Sequence, residues 1–376
     1  MANIDLTHAP YGDLAIISMK GTEEIAKQVD YYLKQWRGEP EEGTFVIPAN
    51  CPRFGTGEAK GVFKHSARGL DAYIICDCFN HGVTYKMYGK EVPMSPDDHY
   101  ADLKRVIASF GGKARRVNVI MPMLYEGRQH RRTSRESMDC ALMLQELIGM
   151  GVKNFITFDA HDPRVQNAIP LDGFDNVQAT YQMIKALLRS VPDIELDAEH
   201  TMIVSPDEGG MGRCIYYSSV LGLDLGMFYK RRDYSTIVDG KNPIVAHEFL
   251  GKDVTGMDLI LVDDMISSGE SMLDIAAKMK AKGARRIFIF STFGLFVNGL
   301  EVFDKYYADG LIDKVFTTNL IYNTPELLSR EWYCNVNMSK YISLLVDTIN
   351  CDNSISKLLD PVDKIHAVVA KHKENK

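Results

Sequence analysis

Runs of apolar residues alternate with helix-length amphipathic stretches along most of the chain. LAIIS (14–18) reads as a buried strand, GTEEIAKQVDYYLKQW after it as a helix, and DAYIICDC (71–78) as a second buried strand. RVNVIMPML (116–124) leads into a basic loop, ESMDCALMLQELIGMG (136–151) is a helix ending in glycine, and NFITFD (154–159) is a strand ending in an acid. Strand, helix, strand in that order predicts an α/β fold, a parallel sheet covered on both faces. The pattern then restarts. DNVQATYQMIKALLRSV reads as helical, HTMIVSPDEGG as a strand and turn, and GRCIYYSSVLG as a short helix. LDLGMFYKRR and MDLILVDD are strands, SMLDIAAKMKAKGA a helix, and RRIFIFSTFG and KVFTTNLI the last strands. The prediction is two α/β halves of similar construction, joined near residues 165–175.

Two segments break the rhythm. FNHGVTYKMYGKEVPMSPD, between Cys78 and Asp98, has no clear period and is long for a connection. It reads either as an active-site or interface loop or as a tolerated surface insertion. SKYISLLVDTIN near the end reads as a helix that packs back against the first half, followed by a frayed Lys- and His-rich end.

The length, 376 residues, agrees with two domains rather than one core. With 45% hydrophobic and 25% charged residues the chain is of soluble globular type. A net charge of -7 gives no reason to expect nucleic-acid binding, so basic clusters need a local cause. There is no continuous apolar run of membrane-span length, and the opening MANIDLTHAPYGD lacks the order of a secretion signal. A cytoplasmic protein is expected. The seven cysteines are scattered and expected to be free thiols, with Cys76 and Cys78 pointing to opposite faces of their strand.

In an open parallel sheet, ligands bind beyond the C-terminal ends of the strands. The unusual residues collect there. In LILVDDMISSGES the strand is expected to end at Val262, leaving Asp263 and Asp264 at the edge. Ser267, Ser268, Gly269 and Ser271 then turn into a helix beginning near Met272, whose open N–H groups suit a phosphate. Two acids in front of such a cradle make sense if sugar hydroxyls or Mg²⁺ intervene; an ordinary serine N-cap would leave them idle. SPDEGGMGR places Asp207 beside a flexible turn, and FDAHDPRVQ places Asp159 and His161 at positions that share a face in extended geometry, with Asp172 and Asp175 downstream. The basic segments GRQHRRTSRE (127–136) and KRRDY (230–234) follow strands and can neutralise a polyphosphate. There is no Walker-type phosphate loop and no nucleophile elbow.

LILVDDMISSGES resembles the phosphoribosyl-pyrophosphate loop of type I phosphoribosyltransferases. From about Ile17 to Thr324 the chain resembles the ribose-phosphate pyrophosphokinase (phosphoribosyl-pyrophosphate synthetase) family, which carries two such domains in tandem. The resemblance implies an N-terminal domain over 1–170, completed by the 331–376 tail, and a C-terminal domain over 171–330. RFGTGE (53–58) resembles the loop that reaches a neighbouring subunit's ATP site, which carries over Phe54 and Glu58; GRQ carries over Arg128 and Gln129 to ATP. FDAHD resembles the metal and phosphate segment, implying Mg²⁺ near Asp159, His161 and Asp172. SPDEGG puts Asp207 near the ribose, and Asp263, Asp264, Ser267, Ser268, Gly269 and Ser271 would hold ribose 5-phosphate. YKRRD resembles the start of the catalytic loop, with Lys230 and Arg232 as the catalytic cations.

The implied reaction moves diphosphate from ATP to the 1-hydroxyl of ribose 5-phosphate, giving phosphoribosyl pyrophosphate and AMP for nucleotide biosynthesis. A homo-oligomer is implied, with a dimer as building block and a hexamer open; neither nucleic acid nor membrane is an expected partner. The chain departs from the family at Thr56 and His130, where Asp is usual, at Ser267, Ser268 and Ser271, and at Phe293, where His is common. Two alternatives remain open: a non-catalytic regulatory homologue, and a transferase that consumes phosphoribosyl pyrophosphate.

Overall fold

The computed structural model describes residues 9–38, 40, 42–232 and 244–374, and their side chains except at 230–232 and 244–247. Two compact units result. The first comprises Met1–Ala179, Asn319–Thr324 and Asn337–Asp360; the second comprises Thr180–Thr318, Pro325–Val336 and Pro361–Lys376.

The first unit is built on a six-stranded, all-parallel sheet. Its strands are β1 (Asp13–Ser18), β2 (Val46–Pro48), β3 (Leu70–Ile75), β6 (Arg116–Ile120), β7 (Val152–Phe158) and β8 (Gly173–Val177), in the order β2-β1-β3-β6-β7-β8. Between β3 and β6 lies an antiparallel hairpin of β4 (Thr84–Met87) and β5 (Lys90–Pro93). Helices α1 (Glu23–Arg37), α2 (Pro96–Ser109) and α3 (Asp139–Gly149) accompany the sheet. The apolar strand residues are buried on both faces, as the unbroken runs Ala15–Ile17 and Ala72–Ile75 require.

The second unit has seven strands: β9 (Thr201–Ser205), β10 (Asp224–Arg232), β11 (Ile244–Leu250), β12 (Asp258–Ile266), β13 (Arg286–Gly294), β14 (Lys314–Thr318) and β15 (Tyr333–Val336). Their order is β11-β10-β9-β12-β13-β14-β15, parallel throughout except for the β10–β11 pair. Helices α4 (Thr180–Ser190), α5 (Met211–Leu221), α6 (Glu270–Ala281), α7 (Glu301–Ala308) and the single turn α8 (Pro325–Leu328) belong to it. Past β15, α9 (Ser339–Asn350) and the turn α10 (Ser356–Leu359) return to the first unit, and α11 (Val362–Glu374) to the second.

The two sheets repeat one another in register. In β3 the fully buried Asp71 sits opposite Arg116 of β6 and accepts both of its guanidinium arms, at 2.7 and 2.8 Å. In β12 the fully buried Asp258 sits opposite Arg286 of β13 and accepts from it at 2.7 and 3.1 Å. Counting from these anchors aligns Asp77 with Asp264 and Gly82 with Gly269. Through the neighbouring strand it aligns Ser18 with Ser205 and Lys20 with Asp207, and one strand further Arg53 with Arg232.

Several expectations are corrected. The segment at 173–177 is an edge strand on β7, not the start of a helix; pairing along a sheet edge overrides local preference. The segment between Cys78 and Asp98 is ordered as the β4–β5 hairpin, whose turn uses Tyr88 (φ 49°) and Gly89 (φ 77°). The end is not frayed through residue 374: α11 buries Ile365, and His366 and His372 lie 3.1 Å from the carbonyls of Val220 and Ile194. Cys76 and Cys78 do not diverge. Both sulfurs are buried and meet at 3.7 Å, since residues two apart in extended chain point the same way.

Candidate functional site

In the second unit β12 does not stop at Val262. It runs through both acids to Ile266, paired with β13 at Asp263–Ser291, Met265–Phe293 and Ile266–Gly294. Alternation buries Asp264 and leaves the Asp263 side chain 25% exposed. The Asp264 N–H donates to Asp263 Oδ1 at 2.9 Å, and the Met265 N–H to Asp264 Oδ1 at 2.9 Å. Burial and the adjoining Asp264 carboxylate push the Asp263 carboxyl well above the ordinary range, while Arg213, 3.9 Å away, draws it down.

The sign of the pH effect follows. With its folded-state pKa above the usual value of about 3.9, Asp263 contributes stability that is complete below about pH 4 and lost as pH rises through the raised value. Asp263→Asn is therefore expected to raise Tm at pH 7.5 and to flatten the decline of Tm above pH 4, measured calorimetrically without substrates. A decline as steep as that of the parent chain would remove the carboxyl from this environment.

Gly269 ends the loop in the left-handed region (φ 83°) and is the N-cap of α6, which starts at Glu270, two residues before the expected start. The N-cap residue offers no side chain, and among the described residues the helix start meets only a long bond, from the Glu270 N–H to Ser268 Oγ at 3.5 Å. Ser267 and Ser268 are half-buried and Ser271 is exposed on the first turn. A Cβ on Gly269 would lie 2.3 Å from Phe303 Cζ. A helix N-terminus without a capping side chain at its N-cap, with hydroxyls around it, offers N–H and O–H donors to an anion.

β9 and β12 are neighbours, so the Asp207 turn emerges at the same sheet edge. Asp207 Oδ1 accepts from the N–H groups of Gly209 (2.9 Å) and Gly210 (3.2 Å), and Ser205 Oγ donates to the Asp207 carbonyl at 2.7 Å. β10 flanks β9 and carries Lys230 and Arg232 at its end, but their side chains lie outside the described residues. Sequence reasoning missed Arg213. A cation in the first turn of a helix opposes the helix dipole, and that misfit was the available signal.

In the first unit the GRQ segment follows β6, with Arg128 exposed and Gln129 Nε2 donating to the Ser137 carbonyl at 2.9 Å. His130 meets the segment after β7: its Nδ1 lies 3.1 Å from Asp162 Oδ2 and its ring 5.5 Å from that of His161. Burial lowers the His130 pKa, and the Arg164 guanidinium holds the Asp162 carboxyl well below the usual range. Asp159 and His161 do not share a face. β7 ends at Phe158 and Asp159 adopts φ 39°, so Asp159 is buried while His161 is exposed. Phe54 (56% exposed) and Glu58 stand at the tip of a turn closed by the Phe54 N–H to Glu58 carbonyl bond at 2.7 Å.

Among the described residues the trio whose donor atoms converge closely enough to hold a metal ion is Glu195, the half-buried Asp197 and His200, not Asp159, His161 and Asp172. Asp159, His161 and the half-buried Asp172 therefore form no closed cage. Their donors are mostly hard oxygens, a set that fits Mg²⁺ held largely through water and substrate phosphates.

Comparison with known proteins places this geometry. Residues 14–151 match the family model described as the N-terminal domain of ribose phosphate pyrophosphokinase, and 234–360 match the phosphoribosyl synthetase-associated domain. The ribose-phosphate pyrophosphokinase of Ureaplasma parvum is 31% identical over 316 residues, 83% of this chain and 85% of that protein. The one from Pasteurella multocida is 25% identical over 350 residues, 92% of this chain and 99% of that protein. Among solved structures, the phosphoribosylpyrophosphate synthetase of Mycobacterium smegmatis shares the fold, with a TM-score of 0.73 at 20% identity over 90% of this chain and 98% of that one. Two sheets repeated in one chain and a strand that runs through paired acids into an open helix thus have a common explanation: the chain belongs to the ribose-phosphate pyrophosphokinase family.

Proposed function

We propose that the chain transfers diphosphate from ATP to the 1-hydroxyl of ribose 5-phosphate, with Mg²⁺, giving phosphoribosyl pyrophosphate and AMP. The observation that carries this reading, given the family, is the uncapped start of α6 behind Asp263 and Asp264. In this reading Ser267, Ser268, Gly269 and Ser271 hold the 5-phosphate with hydroxyl and N–H donors. Asp263 and Asp264, with Asp207, accept from the ribose hydroxyls and orient O1 toward the β-phosphorus. One proton on the carboxylate pair turns an acceptor into a donor, which suits a sugar presenting both.

Arg128 and Gln129 bind ATP, and Phe54 and Glu58 reach the nucleotide of a neighbouring subunit in a homo-oligomer. Mg²⁺, when bound through the ATP phosphates, withdraws charge from them; Asp159, His161 and Asp172 are the residues that would orient it, directly or through water. Lys230 and Arg232 stabilise charge on the equatorial oxygens as the diphosphoryl group moves. Among the described residues no helix is long and apolar enough to cross a membrane, and a cytoplasmic location belongs to the same proposal.

Chromatography of AMP and phosphoribosyl pyrophosphate formed from ATP, Mg²⁺ and ribose 5-phosphate tests the reading. Lys230→Ala is expected to lower kcat by about 10²–10³-fold while changing the KM for ribose 5-phosphate by no more than about threefold. Retained turnover in that variant would remove Lys230 from the chemistry. His130, engaged with Asp162 where the family has an acid, favours a second reading, a non-catalytic partner of an active synthetase. Absence of both products from the parent chain alone, with the chain raising an active homologue's product formation above that homologue's own rate, would select it.

A further inference from the structure

The repeat within the chain shows which side chains are particular to the second unit. Counting on without a gap from Ser18 and Ser205 aligns Ala26 with Arg213, and stepping back from Asp77 and Asp264 aligns Cys76 with Asp263. Ala26 and Cys76 are buried core residues of the first unit. In the second unit the same two positions hold a cation and an acid, and the two meet. Arg213 Nη1 lies 3.9 Å from Asp263 Oδ1, and among the described residues it is the cation paired with that acid.

Local preference does not explain Arg213. It stands in the first turn of α5, where the helix dipole opposes a cation, and only 13% of its side chain is exposed. Taking a guanidinium out of water there needs compensation, which the acids at the end of β12 supply. The turn that carries Arg213 is also fixed on the strand that carries Asp263. Gly210 packs so closely that a Cβ would lie 3.1 Å from Ser205 Oγ and 3.6 Å from the Val262 carbonyl oxygen. The buried Cys214 Sγ donates to that same carbonyl at 3.4 Å, and burial pushes its thiol up to about 11, so it stays a donor. Arg213 therefore comes from a turn pinned at both sides of it to the residue that precedes Asp263.

The other neighbours of Asp263 leave this task to Arg213. Ser291 lies opposite on β13, with its hydroxyl given to the Phe293 carbonyl at 3.1 Å. The Asp264 N–H holds Oδ1 from within the strand at 2.9 Å. At 3.9 Å the attraction of Arg213 is Coulombic rather than a hydrogen bond, so it aims the carboxylate without using up its capacity to accept. With its side chain 25% exposed, Asp263 keeps that capacity open to a ligand.

We infer that Arg213 is a positioning residue for ribose 5-phosphate, whose charge holds the Asp263 carboxylate toward the sugar hydroxyls as an acceptor. The inference rests on the proposed reading of Asp263 as a sugar ligand, and does not require that diphosphate be transferred.

Calorimetric titration of the full chain with ribose 5-phosphate, in the absence of ATP, tests it through a double-mutant cycle. Arg213→Gln is expected to weaken binding by about tenfold. In an Asp263→Asn background, which leaves no charge to hold, the same change is expected to cost less than about twofold. Arg213→Lys, which keeps a cation, is expected to bind within about threefold of the parent chain. Should Arg213→Gln fail to fold, Arg213→Met takes its place in the cycle. Equal losses in the two backgrounds, as a purely structural arginine would give, overturn the inference and leave the loop as the sugar site. Undiminished binding in Arg213→Gln, or binding by Arg213→Lys as weak as by Arg213→Gln, overturns it too. A parent chain that does not bind ribose 5-phosphate sinks the reading of Asp263 and this inference with it. Product formation is read separately: a chain that shows the coupling yet makes no product from ATP sinks the proposed activity and leaves Arg213 in its role.

Discussion

Gly269→Ala is expected to abolish most sugar-phosphate use while leaving a folded protein. The new Cβ would lie 2.3 Å from Phe303 Cζ and 2.6 Å from Cε2. Phe303 has nowhere to retreat: it is fully buried, stacked on Trp332 at 5.4 Å and edge-on to Phe296 at 5.0 Å. The left-handed backbone adds roughly 1–2 kcal/mol for a residue with a Cβ, and overpacking adds roughly 1–3 kcal/mol. The cheaper relaxation is for the loop to turn, which swings the first N–H groups of α6 away from the phosphate. A displacement of this kind is expected to lower kcat/KM for ribose 5-phosphate by about 10²-fold or more. Gly222→Ala is the control. It too is left-handed (φ 67°) at a helix end, but a Cβ there meets nothing within 4 Å, so it should cost stability and leave kinetics alone. Equal kcat/KM in the two variants would dissociate the loop from sugar-phosphate binding.

The largest effect on stability is expected at Asp71. Its buried carboxylate accepts from Arg116 twice, from Asn118 Nδ2 at 2.9 Å, from Tyr73 Oη at 3.0 Å and from Asn350 Nδ2 at 2.8 Å. Asp71→Ala leaves Arg116, whose side chain is 10% exposed, with the exposed Asp352 and the Ile349 carbonyl in place of its buried acid, and removal of one partner from a buried pair costs roughly 3–5 kcal/mol. Its counterpart Asp258 is equally buried, but its two arginines are 44% and 20% exposed and can be rehydrated. In urea unfolding the loss for Asp71→Ala should therefore exceed that for Asp258→Ala. The reverse order would mean that solvent access to the arginines does not set the cost.

The alternating pattern made the order of buried strands legible, because the central strands are buried on both faces and mostly apolar. Legibility failed where polar residues continue a strand: Asp263 and Asp264 interrupt the apolar run, yet their backbone keeps pairing with β13. It failed again where one dihedral redirects the chain, as at Asp159, whose φ of 39° ends the alternation that would have joined it to His161. The β4–β5 hairpin had a signal in its Tyr88-Gly89 turn, masked by the polarity of its strands, none of which is fully buried. The acids, hydroxyls and glycine proposed to hold the sugar phosphate could be singled out in the sequence because they stand in one short stretch of chain. The approach of Arg213 to Asp263 was not, since the two come from distant parts of the chain.

The path of the C-terminal segment bears on how the molecule is made. Helix α9 belongs to the first unit, where Asp347 pairs with Arg37 at 2.7 Å and Asn350 reaches Asp71, although it is encoded after β15 of the second unit. On the ribosome, the N-terminal sheet must therefore wait, with Arg37 and Asp71 short of partners, until nearly the whole chain has emerged. Its completion closes long loops and is slow by nature. An early stop codon anywhere before Ser339 would thus harm the unit synthesised first as well as the one it truncates, and nascent chains halted there are natural clients for chaperones.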